Sequence, residues 1–128
     1  NPIPIKAMGR FEHEACAVHE PSGIVYMTED RHYSLFYRYI PNVPGRLREG
    51  GRLQALAVAG RPALQLHNWS GDPVIGTGES LPTHWIDLDD VDARPVGDLA
   101  ARGALAARRR GRARGENARF QLPTGSDL

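Results

Sequence analysis

Three acidic residues flank one predicted turn, one before it and two after it. Their spacing is the part of the sequence that most suggests chemistry. Glu14 precedes Ser22 by as many positions as Asp30 follows it, and Glu29 is next to Asp30. A chain that folds back at Ser22 therefore brings Glu14 opposite Asp30, at one end of a β-hairpin. Because facing like charges destabilise a bare strand pair, this convergence indicates a bound cation or neighbouring arginines. Carboxylate oxygens suit calcium, magnesium or oxidised iron.

The residues around these acids have the composition of short β-strands separated by turns. Strands are predicted at residues 14–19, 24–30, 34–40 and 52–58, with proline- and glycine-containing turns between them. This pattern predicts one antiparallel blade over residues 1–59, the size of a propeller repeat of roughly 40–45 residues. A closed propeller needs about 4–8 blades. The predicted fold is therefore all-β, a β-propeller fragment with the remainder of the propeller missing from this chain.

Residues 60–128 are less regular in sequence. They predict a loop-rich segment with one strand near 84–88 and a short alanine-rich helix near 98–110. Asp98 stands near the start of this helix and arginines stand near its end, as the helix dipole favours.

Composition limits the classes of function. A chain of 128 residues with 41% hydrophobic content can bury one ordinary core, and its net charge of +1 argues against a general nucleic-acid or membrane role. The sequence contains no signal peptide and no apolar run that could span a bilayer. The single cysteine, Cys16, excludes an internal disulfide, and its place between two alanines predicts a small buried side chain.

Arginines crowd the C-terminal part of the chain, with a dense run from Arg108 to Arg114. Such a run could bind phosphate backbones, but it contains no aromatic side chain on which bases could stack. A solvated helix end is the favoured interpretation, and nucleic acid is not an expected partner.

Several short segments, taken together and in order, carry a resemblance to a known family. They lie at residues 7–15, 23–31, 35–39, 50–56, 85–90 and 113–117. In this order they are similar to the PhoX-type alkaline phosphatases of bacteria. The chain resembles an internal fragment of such an enzyme.

The resemblance implies a β-propeller that hydrolyses phosphate monoesters at a calcium and iron cluster, in a parent protein exported to the periplasm or secreted, by the twin-arginine route. In that family three motifs, His-Glu-Ala, Thr-Glu-Asp-Arg and Arg-Gly-Glu, supply groups that contact metal and phosphate. Carried over by position, the motifs give two principal metal ligands, two weaker ones, a phosphate contact and a more speculative phosphate contact. These are, in that order, Glu14 and Glu116, Glu29 and Asp30, Arg114, and Arg31.

The chain also departs from the family pattern. The family carries a segment with a metal-linked cysteine and paired acids just upstream of the matching region, and nothing here corresponds to it; Cys16 lies in a different motif. We therefore expect the isolated fragment to be inactive. The alternative is a non-catalytic secreted propeller that binds calcium or a partner surface. The acids at strand ends, Glu14 among them, could also be ordinary solvated side chains.

Overall fold

The computed structural model describes residues 1–61, 64–66, 71 and 74–92, and within them the fold is all-β. The five strands are β1 (His13–His19), β2 (Ile24–Glu29), β3 (Tyr37–Pro41), β4 (Gly51–Val58) and β5 (Thr83–Asp87). Two short 3-10 helices, Lys6–Met8 and Leu47–Glu49, are the only helices in this part of the chain. No helix among the described residues has the length and hydrophobicity that crossing a membrane would require.

The strands form one antiparallel sheet in sequence order, from β1 at one edge to β5 at the other. The predicted all-β class and antiparallel meander are confirmed. Two details differ from the prediction. β3 begins at Tyr37 instead of residue 34, after a loop in which Tyr33 has a φ of 58°, outside the extended region. The predicted strand near 84–88 joins the same sheet, where Gln54 pairs with Asp87 and Val58 with Thr83.

The division of the chain at residue 59 stays a prediction, and the predicted helix near 98–110 lies outside the described residues.

One face of the sheet carries the core. Side chains alternate across a strand, and alternate residues of β2, β3 and β4 bury large apolar groups on this side, as in Met27, Tyr37, Tyr39 and Leu53. The covering layer is formed by partly buried side chains from the connecting segments. They are Ala7, Met8, Phe11, Leu35, Leu47 and Val91. The hydroxyl of Tyr39 donates to the Leu47 carbonyl at 3.1 Å, and burial raises the pKa of this phenol.

The opposite face of the sheet, the open face, carries a cluster of aromatic rings. The centroids of Tyr26, Phe36 and Trp85 lie 6.0 to 6.1 Å apart. The guanidinium of Arg38 lies 4.3 Å from the Trp85 ring centroid, a cation–π contact, and donates to Gln54 at 2.7 Å. Phe36 is 42% exposed, so the aromatic cluster on the open face is partly uncovered within the described part of the chain.

An ion-pair strap ties the segment before β1 to the segment after β5. Asp92 accepts from Lys6 Nζ at 3.1 Å and from Arg10 Nη2 at 3.0 Å. The Arg10 backbone N–H also donates to the Val91 carbonyl at 2.9 Å. Hydrogen bonds from Lys6 and Arg10 lower the pKa of the Asp92 carboxyl. The strap holds the segment before β1, which contributes Ala7, Met8 and Phe11 to the covering layer, against the core face.

β1 is the exposed edge of the sheet. All seven of its residues are exposed, including Val18 at 57%. Cys16 is exposed as well, so the prediction that it is buried was wrong. Cys16 pairs with Met27 on the core face, but it stands at the rim, beyond the reach of the covering layer.

The strap generates a prediction for acid stability. Because folding lowers the pKa of Asp92, the ion pairs stabilise the fold above the ordinary pKa of an aspartate, about 3.9, and this contribution is lost as the pH falls through the folded-state pKa. We expect Asp92→Asn to lower the thermal midpoint near neutral pH and to flatten its decline below about pH 4. Thermal denaturation followed by circular dichroism across this range measures both effects.

Asp89→Asn, which alters a neighbouring exposed carboxylate outside the strap, is the matched control. Equal pH profiles for the two variants would show that the strap contributes nothing.

The edge generates a prediction for association. An uncovered apolar strand edge offers unpaired backbone groups to other chains, so we expect this chain alone to self-associate or to be poorly soluble. Val18→Lys places a charge on the edge and should shift the population toward monomer in sedimentation velocity. Val43→Lys, at a loop valine that is 39% exposed, should not. If the unsubstituted chain is monomeric and unfolds in a sharp, cooperative transition, this expectation is wrong.

Candidate functional site

A β-bulge in β1 determines where Glu14 lies. His13 pairs with Glu29 and Cys16 pairs with Met27, so the register shifts between the two pairs. Two residues of β1, Glu14 and Ala15, therefore stand opposite the single residue Thr28. A bulge of this kind leaves one backbone group without its ladder partner and redirects the neighbouring side chain.

The hydroxyl of Thr28 bonds to both residues of the bulge. Its Oγ1 accepts a hydrogen bond from the Ala15 backbone N–H at 3.2 Å. It also donates to Oε2 of Glu14 at 3.1 Å. The hydroxyl has one proton to donate and two lone pairs, so both bonds form at the same time. Thr28 thus satisfies the N–H that the bulge frees and orients the carboxylate of Glu14.

The predicted hairpin is confirmed, with a register that differs from the prediction by two residues at the acidic end. The Asp30 N–H donates to the Glu12 carbonyl at 2.9 Å, so Asp30 lies beside Glu12 and not Glu14. One residue of the shift comes from the turn, in which the Gly23 N–H bonds to the His19 carbonyl at 2.8 Å and Gly23 has a φ of 68°. The bulge adds the other residue.

Glu14 and Glu29 nevertheless lie on different faces of the sheet. Glu29 follows Val25 and Met27 on the core face, where it is only 6% exposed. The buried Tyr37 hydroxyl donates to its Oε2 at 2.8 Å. Glu14 reaches Thr28 on the open face. The expected convergence of three carboxylates is therefore corrected: their backbones share one end of the hairpin, but the pleat separates the side chains of Glu14 and Glu29.

An aromatic stack fixes the start of β1 against the core. The Phe11 ring lies between His13 and Tyr37, with centroid distances of 3.7 Å and 4.3 Å. His13 Nε2 donates to the Gly9 carbonyl at 3.1 Å. Gly9 has a φ of +93°, and a Cβ there would lie 2.6 Å from a Leu53 methyl carbon, so a side chain has no room. With His13 held on the core side, the next residue, Glu14, is directed to the open face.

The carboxylate oxygens at this end of the hairpin suit a hard cation, but the described residues supply only part of a site. They contain no group of three or more His, Cys, Asp or Glu side chains that could hold a metal ion. Glu14 is exposed, and because Thr28 bonds only to Oε2, its Oε1 can serve as a ligand. Glu14 therefore fits a hard cation as one oxygen ligand. Further ligands would have to come from other parts of the protein.

The remaining predicted site residues are only partly described. Asp30 and Arg31 are exposed at the acidic end of the hairpin, and the Arg31 N–H donates to the Glu29 carbonyl at 3.0 Å. Glu116 and Arg114 lie outside the described residues. The ligand and phosphate roles of all these residues stay predictions.

Sequence reasoning missed the two hydroxyls of the site. Thr28 and Tyr37 are strand-forming residue types; Thr28 stands in the Thr-Glu-Asp-Arg motif without a role for its hydroxyl, and Tyr37 only supports the strand prediction. No local signal marks the bulge, because it arises from the mismatch between the register at the turn and the register at His13 and Glu29. The pairing of a threonine with a glutamate across a hairpin becomes visible only when the register is known.

Comparison with known proteins gives one match. The model of the alkaline phosphatase PhoX family matches residues 1–123. Neither the curated proteins nor the solved structures with which the chain was compared give a match. Because the family model spans nearly all of the 128 residues, the chain belongs to the alkaline phosphatase PhoX family.

Proposed function

We propose that this chain is part of a metal-dependent phosphomonoesterase that hydrolyses phosphate monoesters at a calcium and iron site. Family membership implies alkaline phosphatase activity, and the match over residues 1–123 is the observation that carries the proposal. The proposal also includes the calcium and iron, a propeller fold for the whole protein, and a location in the periplasm or outside the cell. The five-stranded antiparallel sheet is compatible with one propeller blade.

The proposed metal ligands are Glu14 and Glu116, with Asp30 as a further candidate. Phosphate-monoester hydrolysis requires charge neutralisation on the phosphoryl oxygens and an activated oxygen nucleophile, and bound metal ions supply both. Glu14 supports this role best among the described residues because it is exposed and its carboxylate is already oriented. Glu29, which faces the core and accepts a hydrogen bond from Tyr37, is the weakest of the four candidates.

The proposed phosphate contacts are Arg114 and, less directly supported, Arg31. A guanidinium can hold a phosphate through two parallel hydrogen bonds and stays charged at any working pH. Arg31 is exposed and lies next to Asp30 at the acidic end of the hairpin. A cation beside phosphate-binding arginines is the combination that this chemistry needs.

The proposal predicts different effects for ligand and phosphate-contact variants of the full-length protein. Glu14→Gln and Glu116→Gln should each lower bound metal and hydrolysis of a generic phosphomonoester together, because a carboxamide binds a hard cation less well than a carboxylate. Arg114→Ala should retain the metal and weaken inhibition by inorganic phosphate. Metal content by elemental analysis, initial rates and phosphate inhibition constants measure the three effects.

Glu20→Gln is the matched control, because Glu20 is an exposed acid at the opposite end of the same hairpin. Unchanged metal content and unchanged rates in both glutamate variants would overturn the proposed site. A parent protein that binds calcium but hydrolyses no phosphomonoester would favour the non-catalytic propeller. The isolated chain should show no turnover, since its described residues supply only part of a ligand set.

A further inference from the structure

Thr28 is the one side chain of the described residues that bonds both to the proposed ligand Glu14 and to the backbone beside it. It is half-buried, whereas Glu14 is exposed. A free surface glutamate samples many rotamers, and ordering it on a cation costs conformational free energy. The bond from Thr28 Oγ1 to Glu14 Oε2, 3.1 Å long, restricts this freedom before any cation arrives.

The bulge makes this restriction stronger than a lone surface hydrogen bond would be. The Ala15 N–H donates to the same hydroxyl at 3.2 Å and occupies one of its lone pairs. The hydroxyl proton then bonds to the Glu14 carboxylate, whose Oε2 accepts at 3.1 Å. The bulge therefore holds the threonine, the backbone of residue 15 and the carboxylate of residue 14 as one unit.

We propose that Thr28 is a positioning residue for cation binding by Glu14, acting through Oε2 and leaving Oε1 to the cation. The inference rests on the proposed function, since it assigns Thr28 a role toward a cation at that site. Hydrogen-bonding partners of metal ligands fix ligand orientation, and their loss typically lowers metal affinity by roughly 10–100-fold.

The experiment uses the metal-stripped full-length protein and calcium ion as the probe, with the dissociation constant measured by titration calorimetry. Thr28→Val keeps the shape of the side chain but removes the hydroxyl, and should weaken calcium binding by roughly tenfold or more. Thr28→Ser keeps the hydroxyl and should retain most of the affinity. Thr83→Val, at an exposed threonine on β5, is the control for a threonine-to-valine change elsewhere on the sheet.

A double-mutant cycle separates positioning from general destabilisation. If Thr28 acts through the Glu14 carboxylate, Thr28→Val should have no further effect on calcium affinity in a Glu14→Gln background. An equal loss in both backgrounds would overturn the proposal, and so would unchanged affinity in the single Thr28→Val variant. Thr28→Ala removes the hydroxyl without a branched side chain and must give the same result, which covers the case in which the valine variant does not fold.

Calcium binding and phosphatase activity of the full-length protein distinguish failure of the proposed function from failure of the role of Thr28. A parent protein that binds no calcium and hydrolyses no phosphomonoester overturns the proposed function and the role of Thr28 together. A parent protein with both properties and an unaffected Thr28→Val variant overturns the role of Thr28 alone.

Discussion

The alternation of side chains along β2 is the constraint from which the arrangement of the site follows. Neighbouring residues of a strand point to opposite faces of a sheet, so Thr28 and Glu29 cannot serve the same side. Glu29 joins the core and is held by Tyr37, while Thr28 faces the open side and holds Glu14. The backbones of Glu14, Glu29 and Asp30 come together at one hairpin end, and of these three acids Glu14 and Asp30 are exposed.

The bulge in β1 allows this separation of side chains at the same end of the hairpin where the core closes. The stack of His13, Phe11 and Tyr37 anchors the first residue of β1 on the core side. The extra residue then lets the rest of β1 resume pairing with β2 at Cys16 and Met27. Bulges often lie next to functional sites because they redirect a side chain without disrupting the whole sheet. Here the redirected side chain is Glu14, which the family resemblance also selects as a ligand.

The sequence predicted the strand content well and the details of the pairing less well. Short segments of strand-compatible residues between glycine- and proline-containing turns identified β1, β2 and β4 to within one residue at every end. The exposure of Cys16 was not predictable, because a strand at the edge of a sheet has the same local composition as one inside it. The separation of Glu14 from Glu29 was not predictable either. It depends on the exact centre of the turn and on a bulge, and a shift of one residue moves a side chain to the other face.

The central claim is that Glu14, oriented by Thr28 on the open face, is a metal ligand of this site, whereas Glu29 belongs to the core. A crystal structure of the metal-loaded full-length protein, with cations located by anomalous scattering, tests this most directly. The account predicts a Glu14 carboxylate oxygen bound to a cation, at about 2.3–2.6 Å if the ion is calcium, with Thr28 still bonded to the other oxygen and Glu29 still bonded to Tyr37. A cation bound by Glu29, with Glu14 free in solvent, would contradict it.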